Sequence, residues 1–139
     1  MNANAVFYPL SQPQTSIWYL EQKHPNTCMN IVAGTLKIHD DINYSLLEEA
    51  INAYIEKNDS IRLRVCEHDG EPCQYVEPFT KRKIETIEFS SPESLLELYA
   101  WDEIQIQIPL FEYDRDLFYI AIVKMKGHGC GIYTKLHHL

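Results

Sequence analysis

The sequence predicts an α/β layered sandwich, a β-sheet with helices packed on it, and three observations carry that expectation. Helical and strand-like patterns are interspersed along the chain, the arrangement from which layered α/β packing follows. The last two strand-like stretches, DLFYIAIVKMK (Asp116–Lys126) and CGIYTKLHHL (Cys130–Leu139), are dense in apolar and β-branched residues, as strands covered on both faces require. An apolar content of 45% with 12% aromatics in 139 residues suits one packed domain with a real core and argues against disorder.

Taken in order, Ser11 with Gln14 forms a capping-box pattern, and Pro13 falls in the first turn, predicting a helix from about Gln12 to Gln22. A loosely alternating stretch predicts a strand over Asn30 to Ile38, and HDDIN (His39–Asn43) a polar turn. Leu47, Ala50, Ile51 and Tyr54 recur at helical spacing, so a helix is expected from about Tyr44 to Lys57, stopped by Asn58-Asp59. IRLRVCEH and CQYVEP read as strands joined by a two-residue turn at Asp69-Gly70, which sets His68 opposite Glu71 and Cys66 opposite Cys73. IETIEF is a further short strand, and Ser91 before Pro92 starts a helix through PESLLELYAWDE. The next five residues, Ile104 to Ile108, alternate like a half-buried strand, although no turn signal divides them from that helix. Gly127-His128-Gly129 turns between the two final strands. Tyr8, Trp18 and Tyr19 are expected in the helix-to-sheet core, the alternative being a ligand shelf.

Charge and cysteine usage narrow the function classes. A formal charge of −8 disfavours nucleic acid, which calls for clustered Lys and Arg. The one dense basic run, Lys81-Arg82-Lys83, is expected in a solvated turn. The longest apolar run, Leu117 to Val123, falls far short of the roughly 20 residues a spanning helix needs. The opening residues MNANAVFYPL lack a basic head and an apolar stretch, so the expected location is cytoplasmic. None of the four cysteines lies in a C-x-x-C pair, and no metal set is expected. Cys66 and Cys73 are expected as two thiols.

The chain ends on His137-His138-Leu139. Alternation along a strand places His138 with Ile132, Thr134 and Leu136 on one side, and His137 with Tyr133 and Lys135 on the other. Adjacent histidines thus meet two environments, and histidine is the side chain best matched to proton transfer near neutral pH. On these residues alone, an idle terminal pair or a tag remnant stands beside the catalytic reading.

Three motifs carry a family resemblance. YPLSQPQTSIWYL resembles the opening motif S-x-A-Q-x-R-L-W-x-L of nonribosomal peptide synthetase condensation domains. Ser11, Gln14, Trp18 and Leu20 match, whereas Pro13 replaces Ala and Ser16 replaces Arg. EKNDSIRLRV resembles the second motif R-H-E-x-L-R-T-x-F, with Arg62 at its arginine and Lys57-Asn58-Asp59 as a variant of R-H-E. HHL falls where H-H-x-x-x-D-G begins. The resemblance implies a chloramphenicol-acetyltransferase-like two-layer sandwich with a mixed β-sheet, one lobe of a two-lobe domain. It also implies that Ile104 to Ile108 continue the preceding helix. Residues 1–139 would be the N-terminal lobe, ending inside the H-H-x-x-x-D-G motif, with the aspartate, the glycine and the C-terminal lobe beyond Leu139.

The implied activity is peptide-bond formation between a donor aminoacyl or peptidyl thioester and an acceptor aminoacyl thioester. Both are carried on phosphopantetheine arms of peptidyl carrier protein domains, beside an adenylation domain. No cofactor is expected to bind the chain directly. The match places His138 at the catalytic position and makes His137 and Arg62 structural residues near it. Arg62 is expected to turn to solvent or to a nearby carboxylate such as Asp59. The isolated lobe is expected to be inactive, and channel-facing apolar surface leaves a homodimer open. Three alternatives remain: another acyltransferase of the same histidine-motif superfamily using coenzyme A, an epimerisation relative, or a non-catalytic module that docks carrier proteins.

Overall fold

The computed structural model describes residues 5–39 and 42–139. The polar turn expected at 39–43 includes residues 40 and 41, which lie outside the described residues. In chain order the elements are β1 (Tyr8–Pro9), α1 (Gln12–Lys23), β2 (Ile31–Ile38), α2 (Tyr44–Lys57), a 3-10 turn (Asp59–Arg62), β3 (Leu63–His68), β4 (Glu71–Val76), β5 (Glu85–Phe89), α3 (Ser94–Gln105), β6 (Phe118–Met125) and β7 (Gly129–His137).

Local chemistry accounts for most boundaries. The Ser11 Oγ accepts the Gln14 backbone N–H at 3.4 Å, and the Ser11 N–H donates to Gln14 Oε1 at 2.9 Å, closing both halves of the capping box on α1. Asn43 Oδ1 caps α2 by accepting the N–H groups of Ser45 and Leu46 at 3.0 and 3.2 Å. Asp69 and Gly70 take φ of 52° and 81°, the positive pair that a two-residue hairpin turn demands. That turn fixes the β3–β4 register, with His68 opposite Glu71 and Cys66 opposite Cys73.

The strands divide between two sheets. A small antiparallel sheet has the order β1-β4-β3, and a mixed four-stranded sheet has the order β2-β7-β6-β5, with β5 and β6 parallel. Helices cover both faces of the larger sheet. Ile51 and Ile55 of α2 pack with Phe118, Ile122 and Ile84 on one side. Leu98 of α3 packs with Ala121, Val123, Met125 and Tyr133 on the other. Successive residues of β6 thus serve opposite cores, which explains why its sequence is apolar throughout rather than alternating. Among the described residues no helix is long and apolar enough to cross a membrane.

Three expectations change. The α3 helix stops at Gln105, and Ile106 to Ile108 continue as tight turns bonded back to Asp102, Ile104 and Gln105. Pro109 has no N–H to carry the helical ladder to the Gln105 carbonyl, and the buried Lys135 ammonium bonds that carbonyl at 2.9 Å and the one of Ile108 at 3.0 Å, capping the helix end. Tyr8 and Tyr19 are exposed instead of lying in the core, while Trp18 donates its indole N–H to the Tyr113 hydroxyl at 2.7 Å. In the basic run, Lys81 and Lys83 are exposed. Arg82 instead turns inward, to Asp116 at 2.6 Å and over the Phe118 ring. Asp116 also meets Arg64 at 3.0 Å, and these two guanidinium partners hold its carboxyl below the usual range against the opposing effect of burial.

Ile55 is fully buried where α2 meets the sheet. Ile55→Ala is expected to lower the unfolding free energy by about 2–5 kcal/mol in urea denaturation, because transfer and cavity terms add. A loss below about 1 kcal/mol would contradict its place in a close-packed core.

Candidate active site

The site is built where the two ends of the chain meet. β7 runs antiparallel to β2 with His137 opposite Ile31, and the ladder continues one step as the His138 N–H donates to the Asn30 carbonyl at 2.9 Å. His137 points toward α1. Its side chain and that of Glu21 are only 1% and 2% exposed, with Nε2 and Oε1 3.1 Å apart. Glu21 Oε1 also accepts from the Asn30 side-chain amide at 2.6 Å. On the other side of the ring, His137 Nδ1 accepts the Leu139 backbone N–H at 3.1 Å. An acceptor at Nδ1 places the proton on Nε2, which donates it to Glu21.

Every residue from 137 to 139 is therefore tied to another part of the chain. The Gln14 side chain adds a 3.3 Å bond to the Leu139 carbonyl and pairs with Gln74 of β4 at 2.8 Å. A single polar network thus joins α1, β2, β4 and the end of β7. Burial outweighs the pull of Glu21 and lowers the His137 pKa below its ordinary value. Such a histidine serves as a fixed, neutral strut.

His138 is exposed. The residues two and four positions before it, Leu136 and Thr134, line an apolar groove of about 520 Å³ with Leu36, Leu47, Ile51 and Tyr54. Leu36 is 68% exposed and Val32, opposite Leu136, is 53% exposed, so this face of the sheet is open beyond α2. The two histidines occupy the two environments that alternation predicts, one sealed and one open.

Arg62 spends its hydrogen bonds at the end of α2. Its guanidinium donates to the carbonyls of Ile55 at 2.6 Å and Glu56 at the C-terminal end of α2, to the Glu77 carbonyl at 3.0 Å, and to Asp59 at 2.6 Å. A cation at that end also complements the helix dipole. Asp59 is the nearby carboxylate that the sequence named. Arg62 joins the site through its chain neighbours: Ile61 and Leu63 line a cleft of about 180 Å³ with His137, Leu136 and Leu139. Glu21 and Asn30 escaped the sequence reading. The one available signal was a carboxylate inside an amphipathic helix at a position that proved to be its buried side.

A family model described as Condensation domain matches residues 4–139, and the chain belongs to that family. Surfactin synthase subunit 1 of Bacillus subtilis (strain 168) is 34% identical over 138 residues, covering 96% of this chain and 4% of the relative. The starter condensation domain of the rhizomide synthetase RzmA superposes with a TM-score of 0.85 at 23% identity, over 96% of this chain and 32% of that one. The first condensation domain of the CDA synthetase gives a TM-score of 0.83 at 20% identity, over 96% and 36%. The chain therefore spans about a third of these solved chains and a small part of the curated relative.

A histidine with a lowered native pKa takes up a proton on unfolding, so stability rises with pH across its window. The contribution of His137 is complete above about pH 6.5 and is lost as pH falls through the native pKa. Urea titrations between pH 8 and pH 5 should show wild type losing stability faster than His137→Asn. Parallel slopes would contradict a buried neutral imidazole.

Proposed function

We propose that this chain is the N-terminal lobe of a nonribosomal peptide synthetase condensation domain and supplies its catalytic histidine. The observation that carries this reading is His138, exposed at the end of the strand whose Thr134 and Leu136 line an open apolar groove, while the residues on either side of it are tied down. An acceptor amine needs such an imidazole, able to accept a proton from the attacking ammonium or to orient the amine against the donor thioester. His137 holds the backbone that presents it, and Arg62 braces the end of α2 against the neighbouring hairpin. General-base assistance contributes about 10²–10⁴ in rate. Holding two tethered substrates together supplies the remainder through effective molarity, which reaches about 10⁵–10⁸ M in well-oriented cases.

On this reading the phosphopantetheine arms of two peptidyl carrier protein domains enter a channel whose second wall is the C-terminal lobe. An adenylation domain loads the acceptor, the assembly works in the cytoplasm, and its product belongs to peptide antibiotic biosynthesis. The extent of the solved relatives supports the lobe assignment, since this chain covers about a third of each. The open groove leaves room for self-association of the isolated lobe.

A second reading concerns the donor. The rhizomide starter domain has been crystallised, as a variant, with C8-CoA, and the groove lined by Thr134 and Leu136 is apolar. Both favour an acyl group on coenzyme A as the donor for the same bond-forming step.

In the intact parent synthetase, His138→Ala should lower amide formation between a loaded donor and a loaded acceptor carrier by about 10²–10⁴. The 139-residue chain alone should form no amide. Full activity in His138→Ala, or turnover by the isolated chain, would defeat this assignment, and an acyl-CoA donor supplied in place of the donor carrier separates the two readings.

A further inference from the structure

Cys66 and Cys73 lie outside the histidine site and have no part in it. They face each other across β3 and β4, in a register that the Asp69-Gly70 turn leaves no freedom to slip. Their Sγ atoms are 2.9 Å apart, and both are free thiols. Directly opposed residues in an antiparallel pair hold their Cα atoms about 4.5–5.5 Å apart, within the ~4.4–6.8 Å that a disulfide spans. Among the described residues no group of three or more His, Cys, Asp and Glu side chains is placed to hold a metal ion, which leaves thiol chemistry.

The pair has a cover. Cys66 is fully buried and Cys73 is 7% exposed, under Ala5 and Phe7. Phe7 stacks on His68 with ring centroids 4.5 Å apart and meets Tyr75 edge-on at 5.8 Å. This N-terminal strap is anchored by the two-residue strand β1, which pairs Tyr8 with Gln74 and Pro9 with Cys73. So short a ladder opens locally far more readily than the main sheet.

We propose that Cys66 and Cys73 form a covalent modification site that takes a low-molecular-weight disulfide, such as oxidised glutathione, and becomes an intramolecular disulfide beneath the N-terminal strap. Cys73, the more exposed thiol, acts first. Its thiolate attacks one sulfur of the glutathione disulfide, forming a mixed disulfide and breaking the original S–S bond, and one glutathione leaves. Cys66 then attacks Cys73 Sγ, closing the protein disulfide and displacing the second glutathione. The two thiol protons pass to the two departing thiolates, and the two electrons lost by the protein reduce the reagent. Burial pushes the Cys66 thiol up to about 12, which makes it a poor first nucleophile and leaves it the second step, where its target is already in contact. The site stands on β3, β4 and the strap alone, independently of the function proposed above.

The test is exposure of the purified chain to oxidised glutathione, followed by thiol counting in denaturant and peptide mapping. The count should fall from four thiols to two, with Cys66 linked to Cys73 in one chain and no glutathione retained. Cys66→Ser should stop with one glutathione on Cys73. Phe7→Ala should react several-fold faster and give the same product. Four surviving thiols, a link through Cys28 or Cys130, or a link between chains would overturn the site. Equal rates in Phe7→Ala and wild type would overturn the strap as its gate. If Phe7→Ala loses the native circular dichroism, wild-type rates in sub-denaturing urea decide the gate, a flat dependence counting against it.

Discussion

The buried contact between Glu21 and His137 is the constraint on which the rest of the site depends. A carboxylate sealed between a helix and a sheet is tolerated only with hydrogen-bond donors to meet it, and here Asn30 and His137 both donate to Oε1 of Glu21. Removing the imidazole leaves the buried carboxylate short of a donor, a loss of about 1–3 kcal/mol. The contact therefore fixes where α1 lies against the end of β7. It also selects the His137 tautomer whose Nδ1 is free to accept the Leu139 N–H. The direction taken by the chain at His138 follows from these bonds, so an exposed side chain inherits the precision of a buried network.

Hydrophobic packing sets the frame within which that network operates. The larger sheet is covered by α2 on one face and α3 on the other, yet α2 leaves Leu36, Val32 and Leu136 uncovered along β2 and β7. Apolar side chains on a sheet face lose stabilisation of about 25 cal/mol for each Å² left in water, which gives this open face a physical reason to be covered by something. Leu136, two residues before His138, ties this open face to the proposed chemistry. The small sheet plays a different part: it carries Gln74 to Gln14, and Arg62, in the turn that leads into β3, bonds the end of α2, so that α1 and α2 are fastened to one hairpin.

Local signals were legible in the sequence. The capping box at Ser11, the Asp69-Gly70 turn and the periodicity of α2 each depend on residues a few positions apart, and each element stands within a few residues of its expected bounds. The separation of His137 from His138 followed from strand alternation alone. What the sequence withheld depends on distant partners. Pro109 marks the limit of α3 in the sequence, but the cap supplied by Lys135, 30 residues downstream of Gln105, does not show there. Glu21 lies 116 residues from His137, and nothing local distinguishes it from a solvated helix carboxylate. Tyr8 and Tyr19 were expected inside because aromatics usually are, but α1 turns its polar Glu21 inward and leaves those rings outside.

The most direct test of the account is nitrogen-15 NMR of the histidine rings in the 139-residue chain near neutral pH. His137 should appear as a neutral imidazole carrying its proton on Nε2, with that proton protected from exchange, while the His138 ring exchanges freely. A protonated His137, the Nδ1–H tautomer, or rapid exchange at Nε2 would contradict the sealed contact from which the placement of His138 follows.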